Sequence, residues 1–209
     1  MNQDPAATAN TDEALLAAFL DGDETSFTLI VRRYQGDLFQ FVARFVGDSA
    51  TAEDVVQDTF VQVHHSAAGF DPQRRFRPWL FTIAANKARD YLRSRGRRKE
   101  VALMSTNDDD ESNGVLAVLS DDGPSPFERL HAAEQADRVR AVVAELPDHL
   151  REVLLLGYYQ RLPYKEIADI LDIPLGTVKS RLHAAVSKFA DLYRKATAES
   201  SEPSVGSDS

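Results

Sequence analysis

Apolar residues recur along this chain at steps of three and four, with polar residues between them. That is the helical period, and no segment shows convincing strand alternation, so the pattern predicts an all-α protein. Leu15, Leu16, Phe19 and Leu20 make a short apolar stripe that ends near Gly22. Phe27, Ile30, Val31, Tyr34, Leu38, Phe41, Val42 and Phe45 make a longer, strongly amphipathic one, ended by Gly47 and Asp48. Ser49 or Thr51 is placed to cap the next helix, and Thr51-Ala-Glu-Asp54 resembles a capping box with Asp in place of Glu. In that helix, over 52–65, Ala52, Val55 (or Val56), Phe60 and Val63 face a core. Pro78 suits the first turn of a helix over 77–95, with Leu80, Ile83, Ala84, Ala88, Tyr91 and Leu92 inward. Trp79, at its start, reads as core. Helices over 127–145 and 149–159 follow, the second carrying Leu150, Val153, Leu154 and Tyr158.

The stretch from Tyr164 to Leu192 reads as a helix, a tight turn and a second helix. Ile167, Ala168 and Leu171 give the first helix its apolar face, and Asp172, Ile173 and Pro174 break it. Val178, Leu182, Ala185, Val186 and Phe189 give the second helix a buried face. Its first turn presents Thr177, Lys179, Ser180 and Arg181, a cluster of hydrogen-bond donors and positive charge. A recognition helix that enters the major groove by its N-terminal end needs such a turn. A bare helix-turn-helix pattern is imitated by many buried helix pairs; the basic first turn points to DNA.

Composition complicates that reading. The net charge is −9, whereas a free-standing DNA binder is usually basic. The positive charge must therefore be local, or a second protein must supply part of the binding surface. It is local: from Arg74 to Lys99 the chain holds ten basic residues against the lone acid Asp90. From Asn107 to Glu128 it holds Asp108, Asp109, Asp110, Glu111, Asp121, Asp122 and Glu128 with no Lys or Arg. That acidic stretch, with Gly114, Gly123, Pro124 and Pro126, reads as a flexible linker. The expected organisation is a helical domain over 12–98, a linker over 99–127, a helix-turn-helix domain over 128–195 and a disordered tail over 196–209.

Two helix faces carry candidate chemistry. Asp54, Gln57, Asp58 and Val61 fall together, an acidic face with one amide and one exposed apolar residue. It suits docking to a basic partner helix, although spacing alone favours an ordinary solvated face, since solvated polar faces are the norm. Thr82, Asn86, Arg89 and Arg93 line up on the basic helix beside Lys87. Arg and Lys supply phosphate contacts, and Asn hydrogen-bonds a base edge. The preceding loop, with Gly69 and Phe70, is fit to hold an unstacked base.

The absence of cysteine excludes disulfides and thiolate metal sites. No run approaches the roughly 18 apolar residues of a membrane span, and the polar N-terminus is no secretory signal, so the expected setting is cytoplasmic. Asp108 to Asp110 are consecutive and lie in the linker, and His64-His65 are adjacent rather than one turn apart, so neither makes a metal site. With no nucleophile–base arrangement either, the chain is expected to be no enzyme and to need no cofactor or metal.

Taken together, AEDVVQDTF, RPWLFTIAANKARDYLRSRGRR, LPDHLREVLLL and YKEIADILDIPLGTVKSRL resemble, in order and spacing, the motifs of a bacterial RNA polymerase sigma factor of the extracytoplasmic-function (ECF) group. The resemblance covers Asp12 to Lys195. It implies a region 2-like domain and a region 4-like helix-turn-helix domain joined by the linker, with core RNA polymerase and promoter DNA as partners. Asp54, Gln57, Asp58 and Val61 would dock on the clamp helices of the largest polymerase subunit. Gly69, Phe70, Asn86, Lys87, Arg89 and Arg93 would bind the melted −10 element. Thr177, Lys179, Ser180, Arg181 and His183 would read the −35 element, with Ala184 and Val186 where relatives often carry basic residues. The acidic linker would thread the basic polymerase channels. The family often adds an anti-sigma factor over the docking surfaces. The alternative is a polymerase-independent helix-turn-helix regulator, which would bind its operator unaided.

Overall fold

The computed structural model describes residues 11–103 and 126–199. Most of the acidic stretch and the Ser-rich tail beyond Glu199 lie outside them. Among the described residues there are eight α-helices and no strand, so the all-α expectation holds. They are α1 (Asp12–Leu20), α2 (Glu24–Val46), α3 (Ser49–Ser66), α4 (Phe76–Leu103), α5 (Pro126–Ala144), α6 (Asp148–Leu154), α7 (Tyr164–Leu171) and α8 (Leu175–Glu199). A 3-10 turn, Ala67–Gly69, follows α3, and one π-helical turn, Leu155–Tyr159, continues α6.

Local chemistry sets the boundaries. Thr11 caps α1, its hydroxyl accepting from the Ala14 N–H at 3.2 Å. Asp23 caps α2, accepting from the Thr25 N–H at 3.0 Å. Gly47 ends α2 in the left-handed region at φ +81°, where a side chain would be strained. The cap of α3 is Asp48, not Ser49 or Thr51: its carboxylate accepts from the Thr51 N–H at 2.8 Å, and Ser49 is already helical. α4 starts at Phe76, whose N–H donates at 2.9 Å to Glu13 on α1, and it runs beyond the expected Arg95 to Leu103. Asp172, at φ +52°, ends α7, and the break at Ile173-Pro174 leads into α8, as the sequence pattern required.

Helices α1 to α4 pack together around Leu16, Ile30, Leu38, Phe41, Phe45, Phe76, Leu80 and Phe81, all fully buried. Phe41 lies 6.0 Å from Phe45 and edge-on to Phe81 at 5.7 Å. Truncating such a ring to alanine costs about 3–5 kcal/mol. Helices α5 to α8 close around Leu146, Val153, Leu155, Leu156, Ile167, Ile170, Val178 and Leu182. The two groups are joined: α4 packs on α7, α2 packs on the π turn, and one apolar cluster runs from Leu15 to Ala185.

Three residues expected in the core are exposed: Leu20, Tyr158 and Val186. Leu20 is the last residue of α1, at the turn formed by Asp21 and Gly22. Tyr158 sits in the π turn, whose extra residue per turn rotates it out of the stripe begun by Leu150 and Val153. Val186 follows Ala185, the residue that holds the inward position on α8. Trp79 is partly buried against the core, as expected.

Candidate nucleic-acid and partner interfaces

Asp54, Gln57, Asp58 and Val61 are all exposed on one side of α3, because Ala52, Val55, Val56, Thr59, Phe60 and Val63 take the inward positions. The structure adds an apolar lining that the sequence pattern did not reveal. Gln57 and Val61 border a groove of about 850 Å³ between α2 and α3, walled by Phe27, Val31, Phe39, Phe60 and His64. Phe27 and Val31 were counted as core from their spacing; both are only partly buried. The groove's outer rim carries Glu53 with Asp54 and Asp58 nearby in sequence, so the surface is apolar at its centre and acidic at its edge.

The loop between α3 and α4 places Gly69 at the end of the 3-10 turn, exposed, with Phe70 next. Phe70 is partly buried in a cluster of rings, 4.9 Å from Trp79 and 6.0 Å from Phe76. It forms one wall of that loop rather than projecting freely from it. Asn86 and Arg93 are exposed on α4 and Lys87 is partly so. Arg93 pairs with Asp90 at 3.1 Å, a surface pair of little energetic weight.

Arg89 behaves differently from its neighbours on the helix. Its Nε donates at 2.8 Å to Glu152 on α6, whose side chain is 7% exposed. Burial lifts the Glu152 carboxyl above the usual carboxylate range, and Arg89 and then Arg181 pull it back down. One buried acid thus lies in the field of an arginine from each candidate DNA surface. Arg75 and Arg77, from the same basic segment, are also engaged. Arg75 donates to Glu166 on α7 at 2.9 Å. Arg77 donates to the Gln160 carbonyl at 3.1 Å, while the Gln160 amide donates to the Asp37 carbonyl at 3.1 Å. The Arg44 guanidinium lies 4.5 Å from the centre of the Tyr159 ring.

On α8 the first turn divides. Lys179, Ser180 and His183 are exposed, with Lys179 and His183 one turn apart on the same face. Thr177 and Arg181, also one turn apart, are half-buried on the side toward Glu152. Pattern reading missed Arg151, Glu152 and Gln160. A signal was available for Glu152: it is the lone acid inside the apolar run from Leu150 to Leu156.

No helix among the described residues is long and apolar enough to cross a membrane. Residues 30–98 match the family model described as Sigma-70 region 2, and residues 136–189 match that described as Sigma-70, region 4. The RNA polymerase sigma-H factor of Pseudomonas aeruginosa is 32% identical over 178 residues, which cover 85% of this chain and 91% of that one. The ECF RNA polymerase sigma-E factor of Escherichia coli is 34% identical over 177 residues, 84% of this chain and 90% of that one. Among solved structures, CnrH in complex with the cytosolic domain of CnrY is 28% identical with a TM-score of 0.64, over 88% of this chain and 97% of that one. The sigma factor RpoE of Bartonella quintana, in complex with the anti-sigma factor NepR, shares the fold at a TM-score of 0.63 over 80% of this chain and 96% of that one, with 22% identity.

Proposed function

The chain belongs to the extracytoplasmic-function group of the sigma-70 family of RNA polymerase sigma factors, and from that premise we propose how its surfaces divide the work of promoter recognition. The exposed face of α3, with Asp54, Gln57, Asp58 and Val61, docks on core polymerase through the groove beside it. A partner helix presenting apolar residues flanked by Lys or Arg fits an apolar trough with an acidic rim. The loop at Gly69 and Phe70, with Asn86, Lys87, Arg89 and Arg93 on α4, holds the melted −10 strand. Opening and unstacking a base costs a few kcal/mol, so a preformed ring cluster beside phosphate-binding cations is a suitable device. The N-terminal turn of α8, with Thr177, Lys179, Ser180, Arg181 and His183, reads the −35 element in the major groove.

The observation that carries this reading is the coexistence in one chain of the region 2 and region 4 matches with an exposed Lys179 and a half-exposed Arg181 at the start of α8. Neither DNA surface is large. Core polymerase, by holding both, makes two weak contacts act as one through effective concentration. In this reading the residues over 12–98 and 128–195 form the two working domains, and the acidic segment between them threads the polymerase's basic channels. The chain carries no reaction of its own and works in the cytoplasm beside the polymerase. An anti-sigma factor is a fitting further partner, since the matched CnrH and RpoE structures hold CnrY and NepR. No feature of the described residues favours a polymerase-independent regulator.

Run-off transcription on a genomic promoter library, with core polymerase and with or without this chain, tests the proposal. New start sites that share two spaced upstream motifs are expected. No new starts, together with failure to co-elute with core, would overturn it.

A further inference from the structure

Beyond Gly69 and Phe70, the loop between α3 and α4 is exposed throughout residues 71–75. Such a segment has little packing of its own, yet a pocket for an unstacked base has to be held to about 0.5 Å. In this structure α1 spans the loop and is fastened at both of its ends. At the first end, Phe19 of α1 lies against His64 of α3, with ring centres 5.0 Å apart, and α1 packs on the 3-10 turn that closes at Gly69. At the second end, the Glu13 carboxylate accepts at 2.9 Å from the N–H of Phe76, the first residue of α4. A helix leaves the N–H groups of its first turn unmet, and Arg75, just before α4, has no acceptor in its side chain. Glu13 caps α4 from 63 residues away. Asp12, its neighbour, accepts from the Tyr34 hydroxyl and from Arg33 at 2.5 Å, which pins the start of α1 to α2. Phe76 is fully buried, and its ring lies 5.7 Å from Tyr34, 5.8 Å from Trp79 and 6.0 Å from Phe70. A shift of Phe76 therefore reaches Phe70 directly, and also through Trp79, 4.9 Å from Phe70.

We propose that α1 braces the base-holding loop, with Glu13 as a positioning residue: by capping α4 it fixes where Phe70 stands, and so how sharply the loop tells one base from another. This rests on the reading of the loop at Gly69 and Phe70 as the site of the melted −10 strand. Glu13 acts through Phe76 and Trp79, not on the strand itself. A carboxylate suits the task. It is negative at the positive end of the α4 dipole, and its bond to the Phe76 N–H is charge-assisted. The ring cluster alone is apolar and has no directional bond to set its register. The Glu13 bond, with Asp12 on Tyr34 and Arg33, supplies that direction.

The test uses core polymerase loaded with the full chain and a single-stranded oligonucleotide of the non-template −10 element, with each of the four bases placed in turn at every position. Fluorescence anisotropy reads binding. Phe70→Ala identifies the position the loop reads, as the one where base preference collapses. Glu13→Ala is expected to lower the preference at that position about tenfold, on the scale of a placement error of about 1 Å. Preference at the other positions, binding to core and binding of a duplex −35 probe should keep the parent's values. Glu13→Gln retains the acceptor without the charge and should recover the preference to within about threefold of the parent. Glu13→Asp draws the acceptor back by one methylene and should fall between the two; it stands in for Glu13→Ala if that chain loses helical signal by circular dichroism. A Glu13→Ala chain, or Glu13→Asp in its place, that keeps the parent's preference overturns the brace. So does a Glu13→Gln chain as damaged as Glu13→Ala, or a loss spread evenly over all positions and the −35 probe, which is the mark of general destabilisation. If Phe70→Ala leaves base preference unchanged everywhere, the reading of the loop itself fails and the brace with it; preference lost with Phe70→Ala but kept with Glu13→Ala refutes the brace alone.

Discussion

Arg151 is where one substitution should cost this fold most for its size. The guanidinium donates to four main-chain carbonyls: Val143 at 3.2 Å, Ala144 at 2.5 Å, Leu146 at 2.9 Å and Phe45 at 2.8 Å. The first three lie at or just beyond the end of α5, where the Val143 carbonyl also accepts from the Leu146 N–H, so one side chain helps to cap that helix. The fourth belongs to the end of α2, across the junction. The side chain is only 12% exposed, and burial lowers the guanidinium's pKa from its ordinary value without discharging it at neutral pH. Arg151→Met keeps the length and the apolar stem and removes every donor. Hydrogen bonds to a charged group contribute about 1.5–3 kcal/mol each, but these four act as a unit and the loss of a buried charge returns part of the cost. A net loss of about 3 kcal/mol follows, which lowers the Tm by about 6–12 °C for a chain of this size. Arg151→Lys keeps the charge but carries its donors on one nitrogen, which cannot span carbonyls on two helices; about half the loss is expected. Urea unfolding followed by circular dichroism measures both. A Met variant within about 1 kcal/mol of the parent, or a Lys variant as damaged as Met, would refute the capping argument.

Other outcomes follow from the same structure. Lys179→Ala and Arg181→Ala should each weaken promoter use by about 1–3 kcal/mol in run-off transcription, as base-edge contacts do, with unchanged binding to core. Asp58→Arg and Val61→Glu should give the reverse pattern, with co-elution with core polymerase lost and the helical signal retained. Glu152 should make stability depend on pH. Burial holds its carboxyl above the ordinary value of 4.5, opposed by Arg89 and Arg181 and aided by Asp148. The native chain therefore binds this proton more tightly than the unfolded chain. Its contribution to stability is complete below about 4.5 and is lost as the pH rises through the raised value. Urea midpoints measured from pH 4.5 to neutral should fall along that limb for the parent, and Glu152→Gln should flatten the fall.

The helices and several of their ends were legible in the sequence because their causes are short-range. A stripe at steps of three and four, a Gly at the end of α2 and a break at Asp172-Ile173-Pro174 each act over a few residues. So were the outer faces of α3 and of the first turn of α8, since exposed positions are what remains once the inward stripe is assigned. The capping residue of α3 was read one or more positions late because three polar candidates within four residues, Asp48, Ser49 and Thr51, satisfy the same local rule. Tyr158 was misplaced because a π turn breaks the very period used to place it.

What tertiary structure alone decided is which of these pieces meet. Arg89 and Glu152 are 63 residues apart, Arg77 and Gln160 are 83, and Phe45 and Arg151 are 106. No periodicity links such positions. Whether a guanidinium on α4 faces water, a phosphate or a buried carboxylate depends on how two helical units pack, and packing is set by the sum of many apolar contacts rather than by any local signal. The sequence by itself determined that the chain is helical and where it would present charge. The packing of the C-terminal helices on the basic segment determined that Arg75 and Arg89 meet carboxylates of the same chain, Glu166 on α7 and Glu152 on α6, while Arg93 stays exposed.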